Sequence, residues 1–131
     1  MKSAKQYILF VFLLLTMIGC ENNGENKVFP ANIEISYIQD NTRVMNKYDS
    51  TSTEYMLVQE WFANNKNDWS TSYASFIDVF VIRGETFECN FLKDVVVLNY
   101  KKDDKYRQVM RKMKPEDKIF ISKLKELIKQ K

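Results

Sequence analysis

The chain has 131 residues, a formal net charge of +3 and no histidine. That length suits one domain with a single core. The absent imidazole excludes Ser-His-Asp and Cys-His nucleophile systems and removes the commonest transition-metal ligand. The net charge hides an uneven distribution. Residues 21–100 hold six Lys or Arg and twelve Asp or Glu, whereas residues 101–131 hold twelve and five. A basic end of this kind suits contact with anionic lipid head groups. It equally suits a solvated helix whose lysines sit at its C-terminal dipole end.

The chain opens with Lys2 and Lys5, followed by an apolar run over 7–18. This is the charged-then-apolar layout of an export signal. The run is shorter than the roughly 20 residues needed to cross a bilayer. Gly19 supplies the small residue that cleavage requires, and Cys20 follows it. Met17-Ile18-Gly19-Cys20 resembles the lipobox of bacterial lipoproteins, with Met17 where that family prefers Leu. The resemblance covers the first 20 residues. It implies cleavage between Gly19 and Cys20, diacylation of the Cys20 thiol and acylation of the new amino group. It also implies a lipid-anchored, periplasm-facing place in the cell envelope. Glu21, rather than Asp, follows the cysteine, which within the same resemblance points to the outer membrane. Two or more acyl chains make a stable anchor, whereas one binds marginally.

The expected organisation is therefore a cleaved signal peptide over 1–19, a lipidated Cys20 with a flexible tether over 20–31, and a single α+β domain over 32–131. The tether reading rests on the polar run Glu21-Asn22-Asn23-Gly24-Glu25-Asn26-Lys27, which has no hydrophobic period. With Cys20 lipidated, Cys89 has no partner in the chain, so no intramolecular disulfide is expected.

After Pro30, Ile33, Ile35 and Tyr37 alternate with Glu34 and Ser36, which predicts a short strand. Residues 40–50 read as a polar connection. Thr51-Ser52-Thr53-Glu54 fits a capping box that opens a helix to about Asn64, with Leu57–Trp61 and Val58–Phe62 as i,i+4 pairs. Asn64-Asn65-Lys66-Asn67-Asp68 ends it. Strands follow at about 75–83, 86–92 and 95–100, joined at Gly84-Glu85 and Lys93-Asp94. Gly first in a two-residue loop suits a type II′ hairpin.

Parity tests these pairings. Any even loop places Phe76, Asp78, Phe80 and Ile82 on one face with Phe87, Cys89 and Phe91, and then with Val96, Leu98 and Tyr100. All but Asp78 are apolar or aromatic, as one consistent register requires. The opposite face, with Ile77, Val79, Val81, Glu88, Asn90, Val95 and Val97, is mixed. Residues 101–104 read as a turn. Tyr106, Val109, Met110 and Met113 follow a 3.6-residue period and predict a short helix. A last helix opens at Pro115, with Glu116 and Asp117 in its first turn, and continues through Phe120, Ile121, Leu124, Leu127 and Ile128. The expected fold is an antiparallel sheet of about four strands, in chain order βαβββαα, with helices packed mainly on one face.

Asp78 is the oddest residue, a carboxylate placed among Phe76, Phe80, Cys89 and Phe91. Such a group must pair, hydrogen-bond or take a raised pKa. It reads as a ligand contact or general acid, or as a rim aspartate bonded to backbone or hydroxyls. Trp69 and Tyr73, in the loop after the first helix, are candidate binding aromatics, whereas Trp61 is expected to face the core. Cys89 reads as a small buried hydrophobe. Asp103-Asp104 and Glu116-Asp117 read as turn and helix-end charges, since a Ca²⁺ loop needs more oxygens at set spacing. The Ile77/Val79/Val81 and Val95/Val97 rows could be a partner surface, or could lie under a helix.

With three glycines in the whole chain there is no Gly-rich phosphate loop, and no metal-ligand cluster or catalytic motif stands out. No metal, cofactor or nucleic acid is expected. The expected function is a non-enzymatic protein-binding module at the envelope, such as a periplasmic inhibitor or immunity-type protein. The alternatives are an accessory subunit of an envelope or secretion assembly and a carboxylate-dependent enzyme using Asp78.

Overall fold

The computed structural model describes residues 29–72, 75 and 79–131. They fold as an α+β domain with one antiparallel sheet and two helices. In chain order these are β1 (Asn32–Gln39), β2 (Thr42–Asp49), α1 (Thr53–Asn64), β3 (Ser70–Thr71), β4 (Phe80–Arg83), β5 (Phe87–Phe91), β6 (Val95–Lys102), β7 (Lys105–Lys112) and α2 (Pro115–Lys129). Across the sheet the order is β2-β1-β4-β5-β6-β7-β3, and every neighbouring pair is antiparallel.

The sheet thus has seven strands rather than about four, and the chain order is ββαβββββα rather than βαβββαα. Two segments account for most of the difference. Residues 42–49 are not a polar connection but edge strand β2. Among its side chains only Tyr48 is buried, with Val44 and Asn46 half-buried, because one face and the outer edge meet solvent. Residues 105–112 are not a helix but β7, paired with β6 over eight positions. Apolar residues at 106, 109, 110 and 113 satisfy a helical period by coincidence. In the strand Val109 and Met110 point to opposite faces, and Tyr106 is 82% exposed.

Both added strands close through two-residue turns. Asp40 and Asn41 have φ of 50° and 62°, and Asp103 and Asp104 have φ of 52° and 59°, between the register pairs Gln39↔Thr42 and Lys102↔Lys105. Positive φ at both corners matches the twist of the flanking strands, and short polar Asp and Asn tolerate it.

The central hairpins keep the expected face assignment. Phe80 lies opposite Phe91 and Ile82 opposite Cys89, and Cys89 in turn lies opposite Leu98. The β4–β5 corner is shifted from the expected one. Gly84 N–H donates to the Phe87 carbonyl at 2.9 Å, so Glu85 and Thr86 occupy the corner. Gly84 is needed there for space: a Cβ would strike the Phe87 ring and come within 2.8 Å of Pro30 Cγ.

Both helices pack on this aromatic face. Val58, Trp61, Leu124 and Ile128 join the sheet residues in one core cluster. The Trp61 and Phe91 rings lie 5.0 Å apart, and Phe120 and Phe91 5.9 Å apart. Helix α1 is capped by Ser52, whose Oγ accepts the Tyr55 N–H at 3.2 Å. The cap is therefore one residue later than the capping-box reading, and Glu54 turns inward. Tyr55 Oη donates to the Pro30 carbonyl at 2.7 Å, holding the incoming chain against α1. On the opposite face Ser36, Val81, Asn90 and Val97 make one cross-strand row, and all four are buried.

Candidate binding groove between the two helices

The antiparallel helices meet over a buried charged cluster. Asp117, in the first turn of α2, accepts four hydrogen bonds. Arg111 Nη1 and Nη2 donate to its two oxygens at 2.7 and 2.8 Å. Trp61 Nε1 donates at 3.0 Å, and the Lys114 N–H at 2.8 Å. Four donors saturate a carboxylate. Burial alone pushes the Asp117 pKa up, but the hydrogen bonds from Arg111, Lys114 and Trp61 outweigh it and hold the group below the usual carboxylate range.

Arg111 reaches this position because β7 places it opposite Val96, on the core face of the sheet. Its guanidinium also donates to Asn65 Oδ1 at 2.9 Å and to the Lys112 carbonyl at 3.1 Å. It lies between two indoles, 5.3 Å from the Trp61 ring centroid and 5.1 Å from that of Trp69. Arg111 Nε has no hydrogen-bond partner. Asn65 ties the cluster to the end of α1: its Nδ2 donates to the Trp61 carbonyl, and its own carbonyl accepts from Trp69 Nε1, both at 2.7 Å.

Above this cluster lies a groove of about 540 Å³. Leu57, Trp61, Ile119 and Phe120 make its apolar surface, and the Trp61 and Phe120 rings are stacked at 5.4 Å. Glu60, Glu116, Lys114 and Lys123 line the rim with Asn64 and Asn65. Ile119 is 68% exposed. An apolar floor beside a rim of both charge signs is the anatomy of a protein contact surface. A second apolar area lies on the far face of the sheet, where Ile38, Met45 and Val79 are each about half exposed.

The structure places Trp69 half-buried against Arg111, its indole N–H already used within the protein. It supports the groove from below. Tyr73 and Asp78 lie outside the described residues, as do Gly19 and Cys20. Trp61 faces the core as expected. Val81 and Val97 are buried, so among the described residues of those rows only Val79 is largely exposed, and Ile77 lies outside the described residues. Cys89 is fully buried, and burial drives its thiol pKa well above the ordinary value. Among the described residues there is no group of three His, Cys, Asp or Glu able to hold a metal, and no helix long and apolar enough to cross a membrane.

Sequence reasoning misses the Arg111–Asp117 pair. The local sequence gives little signal for it: Arg111 and Lys112 stand side by side between Met110 and Met113, and of the two only Arg111 is buried. Compared with protein-family models, with curated proteins and with solved structures, the chain matches none.

Proposed function

We propose that this chain is a lipoprotein of the bacterial cell envelope, anchored through Cys20, whose folded domain binds a protein partner without catalysing a reaction. The favoured form is a periplasmic inhibitor or immunity-type protein. The address rests on the run Lys2 to Cys20. The binding reading rests on one observation: an apolar groove rimmed by charges of both signs, set on a tightly hydrogen-bonded Arg111–Asp117–Trp61 support. A groove held rigid from below loses little conformational freedom when a partner docks. Phe29 packs against Tyr55, Phe62 and Phe87, and the Pro30 carbonyl accepts from Tyr55, so the tether is shorter than 20–31. Residues 20–28 span at most about 30 Å when extended, which keeps the groove near the membrane face.

The test is crosslinking in intact cell envelopes, followed by mass-spectrometric identification of proteins attached to the tagged, lipidated chain. The expected result is one dominant partner that is lost from the Ile119→Arg variant, because Ile119 is exposed and its replacement leaves the core intact. A single toxin or hydrolase identifies an inhibitor, whereas several members of one complex identify an assembly subunit. A correctly lipidated, folded chain with no enriched partner overturns the binding reading. A partner retained by Ile119→Arg moves the contact away from the groove.

A further inference from the structure

A second charged site lies at the opposite end of the helix pair. Glu54, in the first turn of α1, is fully buried. Lys131 Nζ donates to its Oε2 at 3.0 Å and sits 2.8 Å from Oε1. The Oε1 atom makes no aligned hydrogen bond. The same ammonium lies 5.4 Å from the centroid of the Tyr48 ring. The two sides of this pair are held very differently. Glu54 has no exposed side-chain surface, while the Lys131 side chain is 60% exposed. Tyr48 is fixed in β2 and buried. Lys131 lies two residues past the end of α2 and is tied to no strand. A carboxylate and an aromatic face are thus built into the fold, and the cation that fills them is a largely exposed side chain just past a helix end.

Beside this pair is a groove of about 460 Å³, lined by Tyr48, Asp49, Ser52, Ile128 and Lys131 together with Asn46 and a second cation, Lys47. Lys131 therefore stands between the groove and the buried carboxylate. We propose that Glu54 and Tyr48 form a socket for a primary alkylammonium group, filled by Lys131 in the free protein and open to a lysine side chain of a bound partner that takes its place. The exchange keeps the buried charge paired throughout, which avoids the large cost of an isolated ion in the core. Because one ammonium replaces another, the socket supplies selectivity for a cation carrying N–H donors, and the partner's other contacts supply the affinity. A quaternary ammonium has no N–H to give Glu54 and fits poorly. This inference stands apart from the groove at Ile119, and its test needs no partner.

The test is chemical rescue. Lys131→Ala leaves Glu54 without its cation and should melt at a lower temperature than the parent protein. Adding n-butylammonium chloride should raise its melting temperature by about 3 °C or more over an equal concentration of sodium chloride. Tetramethylammonium chloride should not, and neither salt should act on the Glu54→Gln/Lys131→Ala double variant. If Lys131→Ala does not fold, Lys131→Met keeps the aliphatic stem and serves in its place. In the parent protein, titration with n-butylammonium should move the Lys131 ¹³Cε resonance to the position of a free lysine, at concentrations at least tenfold above those that rescue the variant. Equal responses of the single and double variants, or no rescue by n-butylammonium, overturn the socket. Rescue without release of Lys131 in the parent protein overturns the exchange.

Discussion

Arg111 and Asp117 make a two-pronged ion pair in which each side chain keeps only 1% of its surface exposed. The pair joins β7 to the first turn of α2. Through Trp61 and Asn65 it also holds the end of α1. Removing one partner of such a pair leaves an uncompensated buried charge and costs about 3–5 kcal/mol. Arg111→Met and Asp117→Leu should each lose stability on that scale in urea unfolding. The double variant should lose clearly less than the two single losses added together. Additive losses would show that the two side chains act independently.

The same carboxylate sets an acid limit. Its folded-state pKa lies below the ordinary value of 3.8, so the unfolded chain binds the proton first. The stability that Asp117 contributes is fully present above the unfolded value and is lost as pH falls through the folded one. Asp117→Asn should therefore flatten the fall in stability below about pH 4, measured as urea midpoints across pH. Asp49, whose carboxylate accepts from the Thr51 side chain and backbone, shifts in the same direction. A small residual slope in the variant is expected from it. An acid limb unchanged by the substitution would place the transition on other groups.

Cys89 sits in the middle strand of the core with its thiolate disfavoured by burial. Alkylation by iodoacetamide at pH 8 should be about a thousandfold or more slower in the native protein than in urea, because it waits on unfolding. Mass spectrometry of timed samples reads this directly. Rapid native labelling would show that the β4–β6 region opens locally.

The β6–β7 turn carries two adjacent aspartates, both at positive φ. Glycine relieves the steric cost of that conformation, partly offset because it loses more conformational freedom on folding. Asp104→Gly should stabilise the domain by about 0.5 kcal/mol, and the β-branched Asp104→Val should destabilise it by about 1–2 kcal/mol. Thermal melts of the two variants check the order. Equal melting temperatures would argue against a two-residue turn with both corners left-handed.

For the address, Cys20→Ala should abolish incorporation of radiolabelled palmitate and leave an uncut precursor, visible as a larger band on a gel. A parent chain that takes up no label would overturn the lipoprotein reading.

How much of this fold is legible in the residues depends on where each element lies. The helices at 53–64 and 115–129 announce themselves by period, by Pro115 and by a hydroxyl residue at the first cap. The face shared by Phe80, Ile82, Cys89, Phe91 and Val96 follows from parity alone, because a one-residue slip would move every one of these side chains to the other face. Strands β2 and β7 escape the same logic. One is an edge, and the other runs beyond the core at its turn end, so neither needs the alternation that burial imposes.

The local pattern therefore determined the two helices, the central hairpins and the composition of the core face, since each follows from burial repeating at a fixed short spacing. The proposed export signal rests on the same kind of local pattern, the order of charge, apolar run, small residue and cysteine along the chain. Tertiary structure decided the seven-strand order, the inward turn of Glu54 and the meeting of Trp61, Arg111 and Asp117. Trp61 and Asp117 are 56 residues apart in sequence. Arg111 and Asp117 are only six residues apart, but they meet Trp61 only when main-chain pairing has set β7 beside β6 and α2 has folded back over it, and an ion pair that is weak in water becomes strong once water is excluded from both its members.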